Sequence, residues 1–326
     1  MTAPVAVEDR RTLLDLHDAL LLDLDGVVYV GPSPVAHAVA ALVAARSRGT
    51  ATAYVTNNAA RPPDVVAAHL RSFGLDVAAS DVVTSAQAGA REVAARVPAG
   101  SRVLAVGGEG VQLALKARGL VPVGSADDGP IAVLMGYGPD VSWRHLAEAS
   151  YAVGAGALLV ATNLDLSIPT DRGVAPGNGT LVGAVVSATG VGPTAVAGKP
   201  FEPLVRESVE RVRALRPLIV GDRLDTDIEA GHRAGIPSLL VLTGVHGVLD
   251  LLAAPANRRP TYLGADLRAL EMAARVLSMS PVGSGDGLER VRAACVAAWS
   301  AADTGAGAPE VDLRSLERDV AAALGA

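Results

Sequence analysis

The sequence predicts an α/β protein built on doubly wound parallel sheets, with a second α/β domain inserted into the core and a short helical extension at its C-terminal end. Three observations carry that reading. Short apolar runs alternate with helix-period segments along most of the chain. A stretch of 140 residues with its own strand–helix alternation separates Asn58 from Lys199. The last segments are amphipathic and lie behind linkers rich in Pro, Gly, Ser and Ala.

The runs at residues 19–22, 50–55, 81–84, 103–106, 131–135, 157–161, 218–220 and 239–242 read as strands buried on both faces, because they are apolar without alternation. Between them apolar residues recur at helical spacing, as at Val66, Leu70 and Phe73 and again at Val205, Val209 and Val212. Alternating β and α units require crossover connections, which make neighbouring strands parallel. The insertion is placed at residues 99–193, leaving 13–98 and 194–280 as the core. Linkers at 280–287 and 304–309 each precede an apolar stripe: Leu288, Val291, Cys295 and Trp299, then Leu313, Leu316, Val320 and Leu324. In the simplest reading the extension, residues 281–326, packs these stripes back on the core; a self-association surface is the other use for them.

Half of the residues are hydrophobic but only 3% are aromatic, so the cores must be built from Val, Leu, Ile and Ala. The balance of 28 basic and 34 acidic residues gives a net charge of −6, which offers no general attraction to nucleic acid or an anionic membrane. Any phosphate must be captured locally. With Cys295 alone there is no intrachain disulfide. Residues 1–11 are charged and carry no apolar segment of a signal peptide, and no apolar run reaches the length of a membrane span. A cytoplasmic protein is the expectation.

The strongest chemical signal is Asp23-Leu24-Asp25-Gly26-Val27-Val28-Tyr29, at the end of the strand 19–22. The carboxyl edge of parallel strands is where open α/β sheets bind ligands. Two carboxylates one residue apart can serve a cation and phosphorus together, and Gly26 permits the tight turn behind them. The next strand ends in Val55-Thr56-Asn57-Asn58, a hydroxyl, an amide and turn N–H groups suited to phosphate oxygens. Lys199, between Gly198 and Pro200, is a point charge in a constrained loop. Gly221-Asp222-Arg223-Leu224-Asp225-Thr226-Asp227 follows another buried strand and supplies hard oxygen ligands; Asp225 and Thr226 read as caps for a helix over 227–234. Each motif alone has a plain reading as a turn or a cap; the four in order do not.

In order and spacing they resemble the haloacid dehalogenase superfamily of phosphatases. The resemblance is to the branch holding the NagD-type nucleotide phosphatases, pyridoxal phosphatase, and phosphoglycolate and glycerol-3-phosphate phosphatase, and it spans residues 13–275. It implies a Rossmann-like core with an α/β cap formed by the insertion. It makes Asp23 the nucleophile and Asp25 the general acid and base. Mg²⁺ would be held by Asp23, the Asp25 main-chain carbonyl and Asp222, with Mn²⁺ or Co²⁺ as substitutes and Asp227 supporting from behind. Thr56, Asn57 and Lys199 would hold the phosphoryl oxygens. Relatives usually continue Thr-Asn-Asn with serines where this chain has Ala59 and Ala60, which puts the stability of that turn in question.

The implied reaction is hydrolysis of a small phosphomonoester through an aspartyl phosphate, because an inserted cap excludes large substrates. Within the cap, Tyr137, Asn163, Asp165 and Ile168 are candidates for reading the substrate. Pyridoxal phosphatases of this branch carry a histidine before the loop proline, where this chain has Ile168; glycerol-phosphate and phosphoglycolate enzymes have an aliphatic residue there. Glycerol 3-phosphate or phosphoglycolate is therefore the expected substrate, pyridoxal phosphate or a nucleotide the alternative, and a non-catalytic phosphate sensor the alternative of another class. Gly107-Gly108-Glu109-Gly110 lacks the full GxGxxG spacing of a dinucleotide loop and reads as a βα turn. The six histidines show no metal-ligand spacing.

Overall fold

A computed structural model describes residues 10–170, 172–279 and 287–325. The chain divides into two compact units, one formed by the residues up to 53, by 73–75 and by those from 212 onward, the other by 54–72 and 76–211.

In the first unit the strand Ala19–Leu22 is buried at every residue and lies parallel to Pro217–Gly221, with Ala19 opposite Pro217 and Leu22 opposite Val220. Ser238–Val241 and then Tyr262–Gly264 extend the parallel run on the far side. The strand Ala51–Thr56 flanks Ala19–Leu22 on the other and carries the chain into the second unit. Burial on both faces explains why these strands are apolar without alternation.

The C-terminal helices Glu289–Thr304 and Leu313–Leu324 belong to this unit. Leu288, Val291, Cys295, Trp299 and Leu316 join a buried cluster with Leu240, Leu251 and Leu263, so the stripes pack back on their own core. The Trp299 indole Nε1–H donates to the Leu251 carbonyl at 2.8 Å, and the Arg259 guanidinium lies 5.2 Å from its ring centroid while pairing with Asp303. The linker expected before these helices falls almost wholly outside the described residues. Trp299→Ala removes a large buried ring and leaves a backbone carbonyl without its donor, so the unfolding free energy should fall by about 3–5 kcal/mol. Denaturant unfolding measures this; a loss below about 1 kcal/mol would mean that the extension unfolds apart from the core.

In the second unit the far half of Ala51–Thr56 pairs with Val82–Thr84, Thr56 opposite Thr84. A five-stranded parallel sheet follows, in the order Ala195–Val196, Leu158–Ala161, Ala132–Met135, Arg102–Val106 and Val121–Val123. Successive side chains of its strands enter two different clusters. Val103, Leu134 and Val160 pack with Ala86, Ala90 and Val111, whereas Leu104, Val133 and Leu159 pack with Ala149, Val153 and Val185. Helices Ser85–Ala94 and Glu109–Ala117 cover one face, Trp143–Gly154 and Asn178–Thr189 the other. This two-sided burial is the reason for the second set of unbroken apolar runs.

The helix Glu202–Val212 buries Leu204 and Val205 but also Glu207 and Ser208, while Val209 and Val212 are half-buried. Glu207 meets Arg91, Arg118 and Arg211 at 3.0, 3.0 and 2.6 Å. Burial pushes its carboxyl up, but the three guanidinium groups outweigh that and hold it below the usual carboxylate range. No helix among the described residues is long and apolar enough to cross a membrane.

Candidate active site

Asp23 is the first residue beyond Ala19–Leu22, and its N–H still donates to the Val220 carbonyl at 2.9 Å. The chain then folds over itself. The Val28 and Tyr29 N–H groups donate to the Leu24 carbonyl at 2.9 and 3.1 Å, and Gly26, at φ 87°, donates to the Tyr29 carbonyl at 2.8 Å. This turn leaves Asp23 half-buried and Asp25 exposed.

Asp222 follows Pro217–Gly221 and is fully buried; its Oδ2 accepts the Val245 N–H at 2.7 Å. Asp227 is buried in a π-helical turn, Leu224–Ile228, and its Oδ2 accepts the Arg223 N–H at 3.1 Å. The turn is followed by the helix Glu229–Ala234. One oxygen from each of Asp23, Asp222 and Asp227 lies within 4.8 Å of the others. Asp225, expected as a cap for the helix, does not cap it. Its carboxylate grips the Arg223 guanidinium at 3.0 and 2.9 Å. Burial pushes the Asp225 carboxyl up, and Arg223, helped by His246, more than reverses this and keeps it below the usual range.

Three carboxylates converging on one point, two of them buried and with no sulfur or imidazole donor among them, form a donor set that suits a hard divalent cation. The surrounding backbone is fitted to them. A Cβ on Gly244 would fall 2.0 Å from Asp222 Oδ2, and one on Gly26 2.6 Å from it. The loop bearing Gly244 also ties in through the Thr243 hydroxyl, which donates to the Gly26 carbonyl at 2.6 Å, and through His246 Nδ1, which accepts the Leu224 N–H at 2.8 Å. Sequence reasoning missed this loop; its one trace is a glycine just past the apolar run 239–242. Asp25 is not among the converging carboxylates, which leaves its main-chain carbonyl and its exposed side chain for other work.

In the second unit, Thr56 ends its strand and its hydroxyl oxygen accepts the Asn58 N–H at 3.0 Å. The Asn58 side chain accepts the Ala60 N–H at 2.9 Å, so the turn is closed without the serines usual in relatives. Lys199 is buried, with Nζ 3.5 Å from the Val55 carbonyl. Its main chain is held by Asn57, whose Oδ1 accepts the Lys199 N–H at 2.8 Å and whose Nδ2 donates to the Lys199 carbonyl at 3.0 Å. The same Nδ2 faces Asp165 Oδ2 at 3.2 Å.

Asn163 is buried; its amide donates to the Asn57 carbonyl at 2.7 Å and accepts the Asp165 N–H at 3.1 Å. These contacts make it a support for the loop. Half-buried Tyr137 follows Ala132–Met135 and accepts the Gly108 N–H through its carbonyl at 3.2 Å. Ile168, also half-buried, pairs with Ala175 in the hairpin of Ser167–Thr170 and Gly173–Pro176. Gly108 and Gly110 have a structural reason. A Cβ on either would come within 2.8 Å of the backbone of Ala60 or Ala59, and the Gly110 N–H donates to the Ala60 carbonyl at 3.0 Å. The glycine loop is packed against the Thr-Asn-Asn turn.

Residues 20–121 match the model of the haloacid dehalogenase-like hydrolases, and residues 196–270 match a second, HAD-hydrolase-like model. The D-glycerol 3-phosphate phosphatase of Mycobacterium tuberculosis is 44% identical over 315 residues, 89% of this chain and 88% of that protein. The chain belongs to the haloacid dehalogenase-like hydrolases. An acid sugar phosphatase of Staphylococcus aureus is 36% identical over 77% of the chain and 95% of its own length. Among solved structures, the M. tuberculosis glycerol phosphate phosphatase in complex with magnesium superposes with a TM-score of 0.86 at 43% identity, covering 95% of this chain and 98% of that one. The same enzyme has been crystallised with calcium. A p-nitrophenyl phosphatase from Archaeoglobus fulgidus gives 0.73 at 29% identity over 78% and 98%. The hydrolase family and its phosphatase reaction, expected from the motifs, therefore hold for this chain, as does the use of a divalent metal.

Proposed function

We propose that the chain hydrolyses glycerol 3-phosphate, or a phosphomonoester as small, through an aspartyl phosphate on Asp23. The observation that carries the reading is the convergence of the Asp23, Asp222 and Asp227 carboxylates beside the Asp23–Gly26 turn. Asp23 attacks phosphorus in line, the P–O ester bond breaks, and Asp25 gives its proton to the leaving alkoxide. Asp25 then takes a proton from the water that attacks the aspartyl phosphate, which releases inorganic phosphate and restores the Asp23 carboxylate and the protonated Asp25. Its exposure suits a group that must meet both an alcohol and water. Asp23, Asp222 and the Asp25 carbonyl would hold Mg²⁺, with Asp227 as the supporting carboxylate. The cation supplies neutralisation of phosphoryl charge. Thr56, the Asn57 main chain and the Lys199 ammonium hold the remaining phosphoryl oxygens.

In this reading residues 13–98 and 194–280 form the catalytic core, and residues 99–193 the cap that limits substrate size. Ile168 offers no hydrogen bond to a pyridine or a base, which favours a small polyol over pyridoxal phosphate or a nucleotide. The 44% identity to a D-glycerol 3-phosphate phosphatase supports the same choice. The protein is assigned to the cytoplasm. Any self-association would use the cap, because the apolar stripes of the C-terminal helices are engaged in their own unit.

Side-by-side kcat/KM values with Mg²⁺ test the proposal. Glycerol 3-phosphate should exceed pyridoxal phosphate and a nucleoside monophosphate by about 10-fold or more. Chelation should stop turnover reversibly, with Mn²⁺ or Co²⁺ able to restore it and Ca²⁺ a poor substitute. A preference for pyridoxal phosphate would overturn the substrate, and full activity after exhaustive metal removal the mechanism.

A further inference from the structure

We propose that Asn57 and Asp165 are positioning residues for Lys199: the Asn57 carboxamide clamps the Lys199 main chain, and Asp165 fixes which way that carboxamide faces. The inference rests on the role given above to the Lys199 ammonium.

Asn57 is fixed first through its own backbone. Its carbonyl accepts from the Ser85 hydroxyl at 2.5 Å and from Asn163 Nδ2 at 2.7 Å. The side chain then makes a two-point contact with one residue, Lys199, accepting its N–H and donating to its carbonyl. A carboxamide is the side chain that can do both at once, since it carries an acceptor and a donor on one plane. Asp165 adds a third constraint. Its carboxylate oxygens lie 3.2 and 3.4 Å from Asn57 Nδ2 and can only accept there. The Lys199 N–H demands an acceptor on one side and the Asp165 carboxylate a donor on the other, so both select the same orientation of the amide. Asn163 in turn holds the Asp165 N–H at 3.1 Å, which ties the 163–165 loop to the Asn57 backbone. Four stretches distant in sequence, at residues 57, 85, 163–165 and 199, thus meet at one amide. In a partly buried network of this kind each partner bears on the others.

This assigns the Asn57 side chain to Lys199 and not to phosphate, and Asp165 to Asn57 and not to the substrate. The roles separate in a mutant cycle. Asn57→Asp keeps the shape but points a carboxylate oxygen at Asp165 and at the Lys199 carbonyl; kcat/KM should fall about 100-fold. Asp165→Asn alone should lose less than about 5-fold, because its amide oxygen still accepts from Asn57. The pair together, Asn57→Asp with Asp165→Asn, should regain about 10-fold or more over Asn57→Asp, since the amide introduced at position 165 now donates to the new carboxylate. Each factor should be the same for glycerol 3-phosphate and p-nitrophenyl phosphate, because Lys199 acts on the phosphoryl group and not on the leaving group. Thermal unfolding checks that each variant folds. If Asn57→Asp does not fold, Asp165→Ala stands in, with an expected loss of about 10-fold in kcat at a near-native unfolding midpoint.

A double variant no better than Asn57→Asp, a substrate-dependent KM change in Asp165→Asn, or an unaltered Asp165→Ala would each overturn the inference. A wild-type protein inactive on both esters with Mg²⁺ would instead overturn the proposed function. The two failures are distinguishable in one experiment.

Discussion

Asp23→Asn should lower kcat by about 10⁴-fold or more at saturating Mg²⁺ and substrate, while the protein folds as before. The reason lies in how Asp23 is placed. Its backbone is fixed by the hydrogen bond from its N–H to Val220, and the turn behind it by the N–H groups that converge on Leu24. None of these bonds involves the carboxylate, so an isosteric amide should leave the turn where it is. The chemistry is lost: an amide nitrogen neither attacks phosphorus nor binds a hard cation. Without a cation, the wild-type protein must hold three carboxylates within 4.8 Å, and removing one negative charge relieves their repulsion. The unfolding midpoint of Asp23→Asn, measured without metal, should therefore equal or exceed that of the wild type, and Mg²⁺ should raise it less. Retention of more than about 1% of wild-type turnover would show that Asp23 is not the nucleophile.

What the sequence made legible follows from burial. Strands such as Ala19–Leu22 and Ala132–Met135 are buried at every position, so four apolar residues in a row announced them. Three of the edge elements gave no such sign. Tyr262–Gly264 has three residues, Ala195–Val196 has two, and Val121–Val123 contains Pro122, which argues against a central strand and is admissible in one at the sheet edge. The site divides in a similar way. Asp23, Asp222 and Lys199 could be picked out because each lies in a short, compositionally distinct motif, two of them directly behind a strand. Glu207 could not, because only tertiary structure brings Arg91 and Arg118 to join Arg211, four residues on, at a helix face that reads as apolar. Nor could the direction of the Asn57 amide, which depends on residues 108 and 142 positions away. The Thr243–His246 contacts are harder still to foresee, since backbone N–H groups and the lack of a Cβ are nearly silent in a sequence.

That silent loop leads to a second large effect. Gly244→Ala should weaken Mg²⁺ binding about 100-fold, equivalent to about 2.7 kcal/mol, and reduce activity at limiting Mg²⁺ in proportion. A Cβ at position 244 would lie 2.0 Å from Asp222 Oδ2 and 2.5 Å from its Cγ, so either the loop or the carboxylate must move. The loop is tied on both sides of residue 244, by the Thr243 hydroxyl on the Gly26 carbonyl and by the Val245 N–H on Asp222 itself. Asp222 is fully buried, and turning its carboxylate away takes it from the other two. The cation then loses a ligand, or keeps it at the cost of a strained loop, and either way its affinity falls. Gly247→Ala is the control, because a Cβ there meets nothing within 4 Å. Titration calorimetry with Mg²⁺ gives the affinities, and the Mg²⁺-dependent rise in unfolding midpoint, which reports binding to the folded state alone, gives an independent measure. Excess Mg²⁺ should restore part of the lost activity in Gly244→Ala, as expected if the defect is in occupancy and Asp23 is still in place. Wild-type Mg²⁺ affinity in a folded Gly244→Ala protein would show that the loop does not set the position of Asp222.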